Sequence, residues 1–392
     1  MTQPPIHVAI IGAGLGGLCL AQGLKKQGIA FDVFEKDPAP NARTQGYRIR
    51  IDTTGQRALA AALPRHLFEL FLQTCAVTQT GGRFISPDLD PVRGRAAASW
   101  RPSATEDGGG DLSANRLTLR EILLTGIEER VHFGRTFDRF EAGQNDALRV
   151  TFEGGLTVES TILVAADGLR SPVRSQYLPA AAPQSTATAC IYGKTPMAAS
   201  FGSEVLASGT SVVFADDFAV VIDAMRFRFP QPADLSPVAD YFYWAVIGRC
   251  ERLGIDDNAF RSHDGHAMLA TIGRMTSTWH STLQALFANA DAASVSVLAI
   301  HSARSLMPWT PSHVTLLGDA IHAMSPAAGL GANTALADAV NLTTRIAEAA
   351  AGQVRLLEAI GLYEQDMRLR ANLALETSRQ GARRLFGDTF SG

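Results

Sequence analysis

Three clusters of residues in this chain have the types and spacing to hold a large anionic ligand. The first is Gly12, Gly14 and Gly17 in "IIGAGLGGL", with Glu35 and Lys36 closing "FDVFEK". Glycines in the pattern GxGxxG behind an apolar run allow a tight turn at Gly12, approach of a pyrophosphate to the backbone at Gly14, and helix-on-strand packing at Gly17. The following helix start offers unpaired N–H groups to phosphate, and Glu35 is placed to accept hydrogen bonds from a ribose diol. This fingerprint serves NAD and FAD alike. The second cluster is "ILVAADGLRSPVR", where Asp167 and Gly168 turn the chain and Arg170 and Arg174 follow, either attracting cofactor phosphates or forming a solvated basic face. The third is "VTLLGDAIHAMSPAAGLGAN". Asp319 is positioned there to accept hydrogen bonds from a polyhydroxyl chain. The loop carrying Pro326, Gly329, Leu330 and Gly331 lets backbone lie against a flat ring. A helix beginning near Asn333 aims its positive end at that ring and stabilises negative charge on it, and a reduced isoalloxazine carries such charge. His322, in the same stretch, reads as structural.

Positioning these clusters requires particular elements. Residues 8–11 read as a buried strand, the next segment as a helix and "FDVFE" as a second strand, a βαβ unit. "ANRLTLREILLTGI" has the spacing of an amphipathic helix, and "LRVTFEGG" and "LTVESTILVAADG" are strands leading to Asp167. Between about residues 181 and 290 the texture changes to "SVVFADDFAVVIDAMRFRF" and "YFYWAVIG", sheet strands with large side chains. The nucleotide pattern then returns. The expected fold is therefore α/β: a discontinuous Rossmann-like nucleotide domain (residues 1–70, 105–180 and 291–355) with an inserted, mostly antiparallel substrate-binding sheet (residues 71–104 and 181–290). A basic amphipathic helix (residues 356–392) packs across both. The polar, Gly-rich stretch 103–113 reads as a surface loop.

The 392 residues are enough for two domains, and the net charge of −3 gives no electrostatic reason to expect nucleic acid or an anionic membrane surface. Cys19, Cys75, Cys190 and Cys250 are far apart and none forms CxxC, so they read as reduced thiols of a cytoplasmic protein without disulfides or a metal site. The apolar N-terminal run lacks a basic leader, and no stretch is apolar enough to span a bilayer. A monomer or weak homo-oligomer is expected.

In order and spacing the three motifs resemble the flavoprotein monooxygenases of the p-hydroxybenzoate hydroxylase class, which also holds tetracycline-inactivating and polyketide-tailoring enzymes. The resemblance implies that Gly12, Gly14, Gly17 and Glu35, with Lys36 beside them, hold the ADP half of FAD. Arg116 matches the family arginine that contacts the cofactor between its halves. Arg50 matches a residue near the ribityl chain, with Arg48 a competing match. Asp167 and Gly168 match the DG motif linked to FAD and NAD(P)H. Asp319 matches the GD motif at the ribityl chain, and Pro326, Gly329, Leu330, Gly331 and Asn333 lie beside the flavin.

The implied activity is reduction of FAD by NADPH or NADH, followed by delivery of one oxygen atom from O2, through a flavin hydroperoxide, to an apolar aromatic or polycyclic small molecule. Because the flavin does the redox chemistry, no catalytic residue is demanded. Arg226, Tyr192, Tyr241 and Tyr243 are candidates for helping to remove a phenolic proton. Phe214, Phe218, Met225, Phe227, Tyr243 and Trp244 supply apolar surface, of which strand alternation places only a part in a pocket. There is no second GxGxxG for a separate nicotinamide domain and no WxWxIP of the related halogenases. The alternatives are a reductase of the geranylgeranyl type and a flavin-containing ligand-binding protein.

Overall fold

The computed structural model describes residues 5–42, 47–77, 82–92, 110–143, 147–197, 203–207, 209–215, 217–229, 232–262 and 264–386. Most of the Gly-rich stretch, residues 93–104 of the expected substrate domain and residues 387–392 lie outside these.

Strand β1 (His7–Ile11), helix α1 (Leu15–Lys26) and strand β2 (Ala30–Glu35) form the expected βαβ unit. β1 sits at the centre of a parallel sheet ordered Val314–Leu316, Ile162–Ala165, β1, β2, Val131–Phe133. Strands of such a sheet are covered on both faces and must be apolar throughout. Val8, Ala9, Ile10 and the whole of Ile162–Ala165 are accordingly fully buried. Helices α1 and Gly331–Ala350 pack against each other, and the C-terminal helix Leu356–Phe386 packs on the latter.

The second sheet has six strands, ordered Ser296–Ser302, Gln184–Pro196, Tyr241–Arg249, Phe218–Met225, Thr210–Phe214, Gly82–Ile85, antiparallel except for the last pair. Its first strand corrects one boundary: residues 296–302 were expected in the nucleotide domain, yet their hydrogen bonds go to Gln184–Pro196. No periodicity distinguishes "SVSVLAIHS" from a nucleotide-domain strand, and only the pairing does so. Alternation divides the sheet's side chains between two faces. Phe242, Trp244, Val220 and Ile222 join one core with the helices Gly265–Met275 and Ser281–Ala288, while Cys190, Tyr192, Val221, Ala245 and Ile247 face the other way.

A two-stranded ribbon, Arg48–Ile51 with Leu112–Asn115, links the layers: the backbone of Ala76 bridges to both Ser113 and Phe227. The C-terminal helix reaches both parts. The Tyr363 hydroxyl donates to the Leu316 carbonyl at 2.8 Å, and Arg379 donates to the Ala303 carbonyl at 3.1 Å. Among the described residues no helix is long and apolar enough to cross a membrane.

Candidate cofactor and substrate site

All three sequence clusters reach the same edge of the parallel sheet, beyond the carboxyl ends of its strands. That edge is where open α/β sheets bind ligands. The turns are tied to one another: Gly12 N–H donates to the Phe34 carbonyl, Ala166 N–H to Ile11, and Leu317 N–H to Ala165, each at 2.8–2.9 Å.

The glycine fingerprint separates into three physical roles. Gly12 has φ +107°, and a Cβ there would lie 2.4 Å from the Ala166 carbonyl oxygen. A Cβ on Gly17 would lie 2.2 Å from the Gly12 oxygen, whereas one on Gly14 would meet nothing within 4 Å. Gly14 is the cap of α1, and among the described residues no side chain caps the first N–H groups of that helix. An open space in front of unsatisfied helix N–H groups is the geometry a pyrophosphate requires.

Glu35 is buried, with one carboxylate oxygen accepting from Ala13 N–H at 2.8 Å and the other from Asp37 N–H at 2.9 Å. It braces the glycine turn and keeps lone pairs for further donors. Lys36 is exposed beside it. Arg120, which sequence reasoning missed, is fully buried. It donates to the Ala13 carbonyl at 2.9 Å and to the Pro40 carbonyl, clamping the glycine turn to the segment after β2. Its signal was an arginine set beside Leu119 and Leu123 on the helix's buried side, a position that demands partners.

Asp167 and Asp319 stand at the turns after Ile162–Ala165 and Val314–Leu316. Both Asp167 carboxylate oxygens are shielded and make no hydrogen bond of ordinary geometry among the described residues. Burial pushes this carboxyl up to about 6, against the opposing pull of Ser171, the backbone at Asp167 and Val173, and the Arg174 charge. Asp319 is exposed. The protein crowded around it raises its pKa, against the pull of His322 and Arg116. A carboxylate that is surrounded by protein yet accessible is placed to meet a ligand. Arg116 is half-buried over the Tyr47 ring, 5.6 Å from its centroid.

Arg174 corrects an expectation. It is 5% exposed and donates to the Ala320 carbonyl at 2.9 Å, so it fastens the Asp167 turn to the Asp319 turn and is not available to phosphates in solution. Arg170 is exposed. His322 is buried 2.5 Å from Asp338, which also receives Arg370 at 3.1 Å. Burial opposes a charged imidazole there, but Asp338 outweighs it and holds the pKa above the usual range. This buried group supports the Gly318–Asp319 turn from behind.

The loop after Asp319 is fixed by two side chains. Arg50 donates to Ala328 O at 2.9 Å while its Nε lies 2.5 Å from Asp111. Asn333 donates to the carbonyls of Arg50 and Gly329 and accepts from Asp52 N–H. Its amide is thus engaged with protein. Pro326 opens a short 3-10 turn, Gly329 closes it at φ +63°, and Leu330 and Gly331 start the long helix. Gly168 (φ +76°) turns the chain beyond Asp167.

Between this loop and the second sheet lies a small, partly open cavity of about 70 Å³, lined by Arg48, Cys190, Val221, Tyr243, Ala245 and Ala327 among others. Tyr243 is the candidate that lines it. Tyr192 lies on the same face against Tyr47, with ring centroids 4.8 Å apart, and burial pushes its phenol up. Tyr241 is buried and accepts from Asn115 at 3.2 Å. Arg226 is exposed on the surface, apart from the lining. Trp244 and Phe218 are corrected to the opposite face, where Trp244 packs edge-on to Phe287 and Phe218 stacks on Trp279. Met225 and Phe227 cluster with Tyr241, and Phe214 packs on Phe84 at the sheet's rim.

The groups present fit a flavin dinucleotide: an open phosphate cradle at Gly14, shielded carboxylate oxygens at Asp167, an accessible Asp319, and a backbone loop at a helix start. Comparison with known proteins agrees. A family described as FAD binding domain matches residues 130–378, and an NAD(P)-binding Rossmann-like domain matches residues 10–70. The dual O-methyltransferase/FAD-dependent monooxygenase of Phaeosphaeria nodorum is 33% identical over 97% of this chain and 46% of its own length. The FAD-dependent monooxygenase phnB of Penicillium herquei is 27% identical over 94% of this chain and 88% of its own. The chain thus spans about half the length of the first of these relatives. A solved structure from Photorhabdus luminescens, assigned as an FAD-containing monooxygenase, superposes with TM-score 0.82 at 29% identity, covering 98% of this chain and all of the other.

Proposed function

The chain belongs to the FAD binding domain family, and on that premise we propose that it is an FAD-dependent monooxygenase that uses NAD(P)H and O2 to insert one oxygen atom into an aromatic small molecule. The observation that carries this reading is the small, partly open cavity between residues 326–329 and the cleft face of the second sheet. A ligand there lies directly against the loop the cofactor ring would face.

Bound FAD supplies hydride acceptance from the nicotinamide and activation of oxygen. The chain's own residues do the rest. The α1 start and Gly14 bind the pyrophosphate, with Glu35 at the adenosine ribose and Arg120 fixing the turn from behind. Asp167 and Asp319 accept hydrogen bonds from cofactor hydroxyls, and Arg116 stands between Asp319 and the Tyr47 ring. Arg50 and Asn333 hold the 326–331 loop in place, so the helix N-terminus stays aimed at the site where negative charge develops. The apolar sheet face excludes water from that site. The nicotinamide cofactor, with no second fingerprint to receive it, docks transiently near Arg170. The test is direct: purified yellow protein should be bleached by NADPH, regain colour in air, and add one oxygen to an aromatic acceptor. Protein that takes up no FAD would overturn the reading.

A further inference from the structure

The Gly318–Asp319 turn rests on a cluster of charges for which cofactor binding alone has no use. Its centre is Asp338, fully buried on the long helix Gly331–Ala350. Asp338 Oδ2 lies 2.5 Å from His322 Nε2 and accepts from Gly318 N–H at 3.3 Å, while Oδ1 accepts from Arg370 of the C-terminal helix at 3.1 Å. His322 is fully buried as well, and Arg370 is 30% exposed. Three segments thus meet at one carboxylate: the turn carrying Asp319, the helix that begins at the end of the 326–331 loop, and the C-terminal helix.

Bracing a turn does not require charge. Gly318 N–H needs only an acceptor, which an asparagine would supply, whereas taking ions out of water carries a desolvation cost that neutral partners avoid. Burial works against an imidazolium at His322, but the charge of Asp338, the hydrogen bond to it and the charge of Asp319 outweigh that cost and favour the cationic ring. With Arg370 as a second cation on the same carboxylate, the cluster carries one net positive charge. That charge lies behind the loop expected to face the cofactor ring. Asp338 stands two turns, about 10 Å along the axis, from the helix start at Gly331. A Cβ on Gly331 would lie 3.8 Å from Asp319 Oδ1, so the same helix start borders the Asp319 side chain. Glu364 of the C-terminal helix accepts from Thr315 Oγ at 3.0 Å and is the same in every variant below.

We propose that His322, Asp338 and Arg370 form an electrostatic support for the reduced cofactor, with His322 the positioning residue whose buried positive charge favours negative charge on a flavin ring in front of residues 326–331. The charge acts through the protein, without touching the cofactor, and adds to the effect of the helix start. Two electrons and one proton convert bound flavin to its anionic reduced form. A positive charge already fixed before that change stabilises the reduced state and needs no rearrangement to do so. A neutral His322, donating from Nε2, would hold the same turn and leave the redox balance unmoved. The proposal rests on the FAD reading, not on oxygen transfer.

The test is the two-electron reduction potential of bound FAD, measured by equilibration with a reference dye, beside FAD titration and thermal melts of the apo-protein. His322→Gln keeps a donor toward Asp338 and removes the charge. It should lower the ratio of reduced to oxidised FAD affinity about tenfold, about 30 mV in potential, the effect expected of one unit charge about 10 Å away in partly buried surroundings. Arg370→Gln, at the more exposed margin of the cluster, should lower the potential in the same direction by a smaller amount and preserve the fold. An unchanged potential in His322→Gln, whatever happens to its melting or to oxidised FAD affinity, would show bracing alone and overturn the proposal. Where that variant fails to fold, an unchanged potential in Arg370→Gln does so. Protein that takes up no FAD would overturn this proposal together with the function. Lowered potentials in protein that oxygenates no acceptor would keep the cluster's role and remove the monooxygenase reading, and oxygenation with unmoved potentials would do the reverse.

Discussion

Gly14 and Gly17 stand three residues apart in one motif, yet the structure assigns them different physics, and a pair of substitutions separates them. A side chain at Gly14 has open space within 4 Å, and the backbone there (φ −77°, ψ 178°) is extended, which a β-branched residue adopts readily. Gly14→Val should therefore lower the stability of the flavin-free protein by no more than about 1 kcal/mol, chiefly because valine is a poorer helix cap than glycine. The same methyl groups occupy the space before the unsatisfied N–H groups of α1, so FAD affinity should fall at least about a hundredfold, close to 2.7 kcal/mol. Gly17→Ala places its Cβ 2.2 Å from the Gly12 carbonyl oxygen. The helix must move off the strand, at a cost on the order of 1–3 kcal/mol with or without flavin. Thermal melts of apo-protein, paired with fluorimetric FAD titration, distinguish the two. Full flavin retention by Gly14→Val, or an apo-melting loss equal to that of Gly17→Ala, would refute the division of roles.

Asp319→Ala should weaken FAD binding or slow flavin reduction by one to two decades while leaving the fold intact, since one hydrogen bond to a shielded partner is typically worth about 1–3 kcal/mol; unchanged titration and stopped-flow traces would remove Asp319 from the site. Arg120→Met leaves the Ala13 and Pro40 carbonyls without their donor, and should cost about 2 kcal/mol of apo stability together with FAD affinity; a melt equal to that of the unaltered protein would show the clamp to be dispensable. Folded Asp167, at about 6 against an ordinary 3.8, binds its proton more tightly than the unfolded chain does, so its stabilising contribution is complete below about pH 4 and is lost as pH rises through about 6. Asp167→Asn should remove that loss, flattening the apo melting profile across this window, and an unchanged profile would mean the carboxylate is solvated. A true substrate should speed NAD(P)H-dependent flavin reduction at least about tenfold, a barrier change near 1.4 kcal/mol, and equal stopped-flow rates would mean that reduction is ungated.

What was legible in the sequence, and what was not, follows from the range of the interactions involved. The turns after β1, after Ile162–Ala165 and after Val314–Leu316 were legible because glycine spacing, apolar runs and single acidic residues are local signals, and parallel-sheet topology then forces their convergence at one edge. The partners that brace those turns are remote. Arg120 meets Ala13 across 107 positions and Arg50 meets Ala328 across 278, and no local pattern specifies either pairing. Arg174 illustrates the error this produces. Read locally it was a basic residue near a cofactor turn, but it is bonded to Ala320 across 146 positions and holds two turns together. The cleft face of the second sheet shows the same limit. Alternation predicts that either Tyr243 or Trp244 faces the cavity, and only the helices packed behind the sheet determine which. Arg48 and Arg50 complete the argument. They stand two residues apart on the same face of one short strand and both line the cavity, one paired with Asp223 on the second sheet and the other bonded to the 326–331 loop, so neighbouring arginines that were competing matches for one role have different partners.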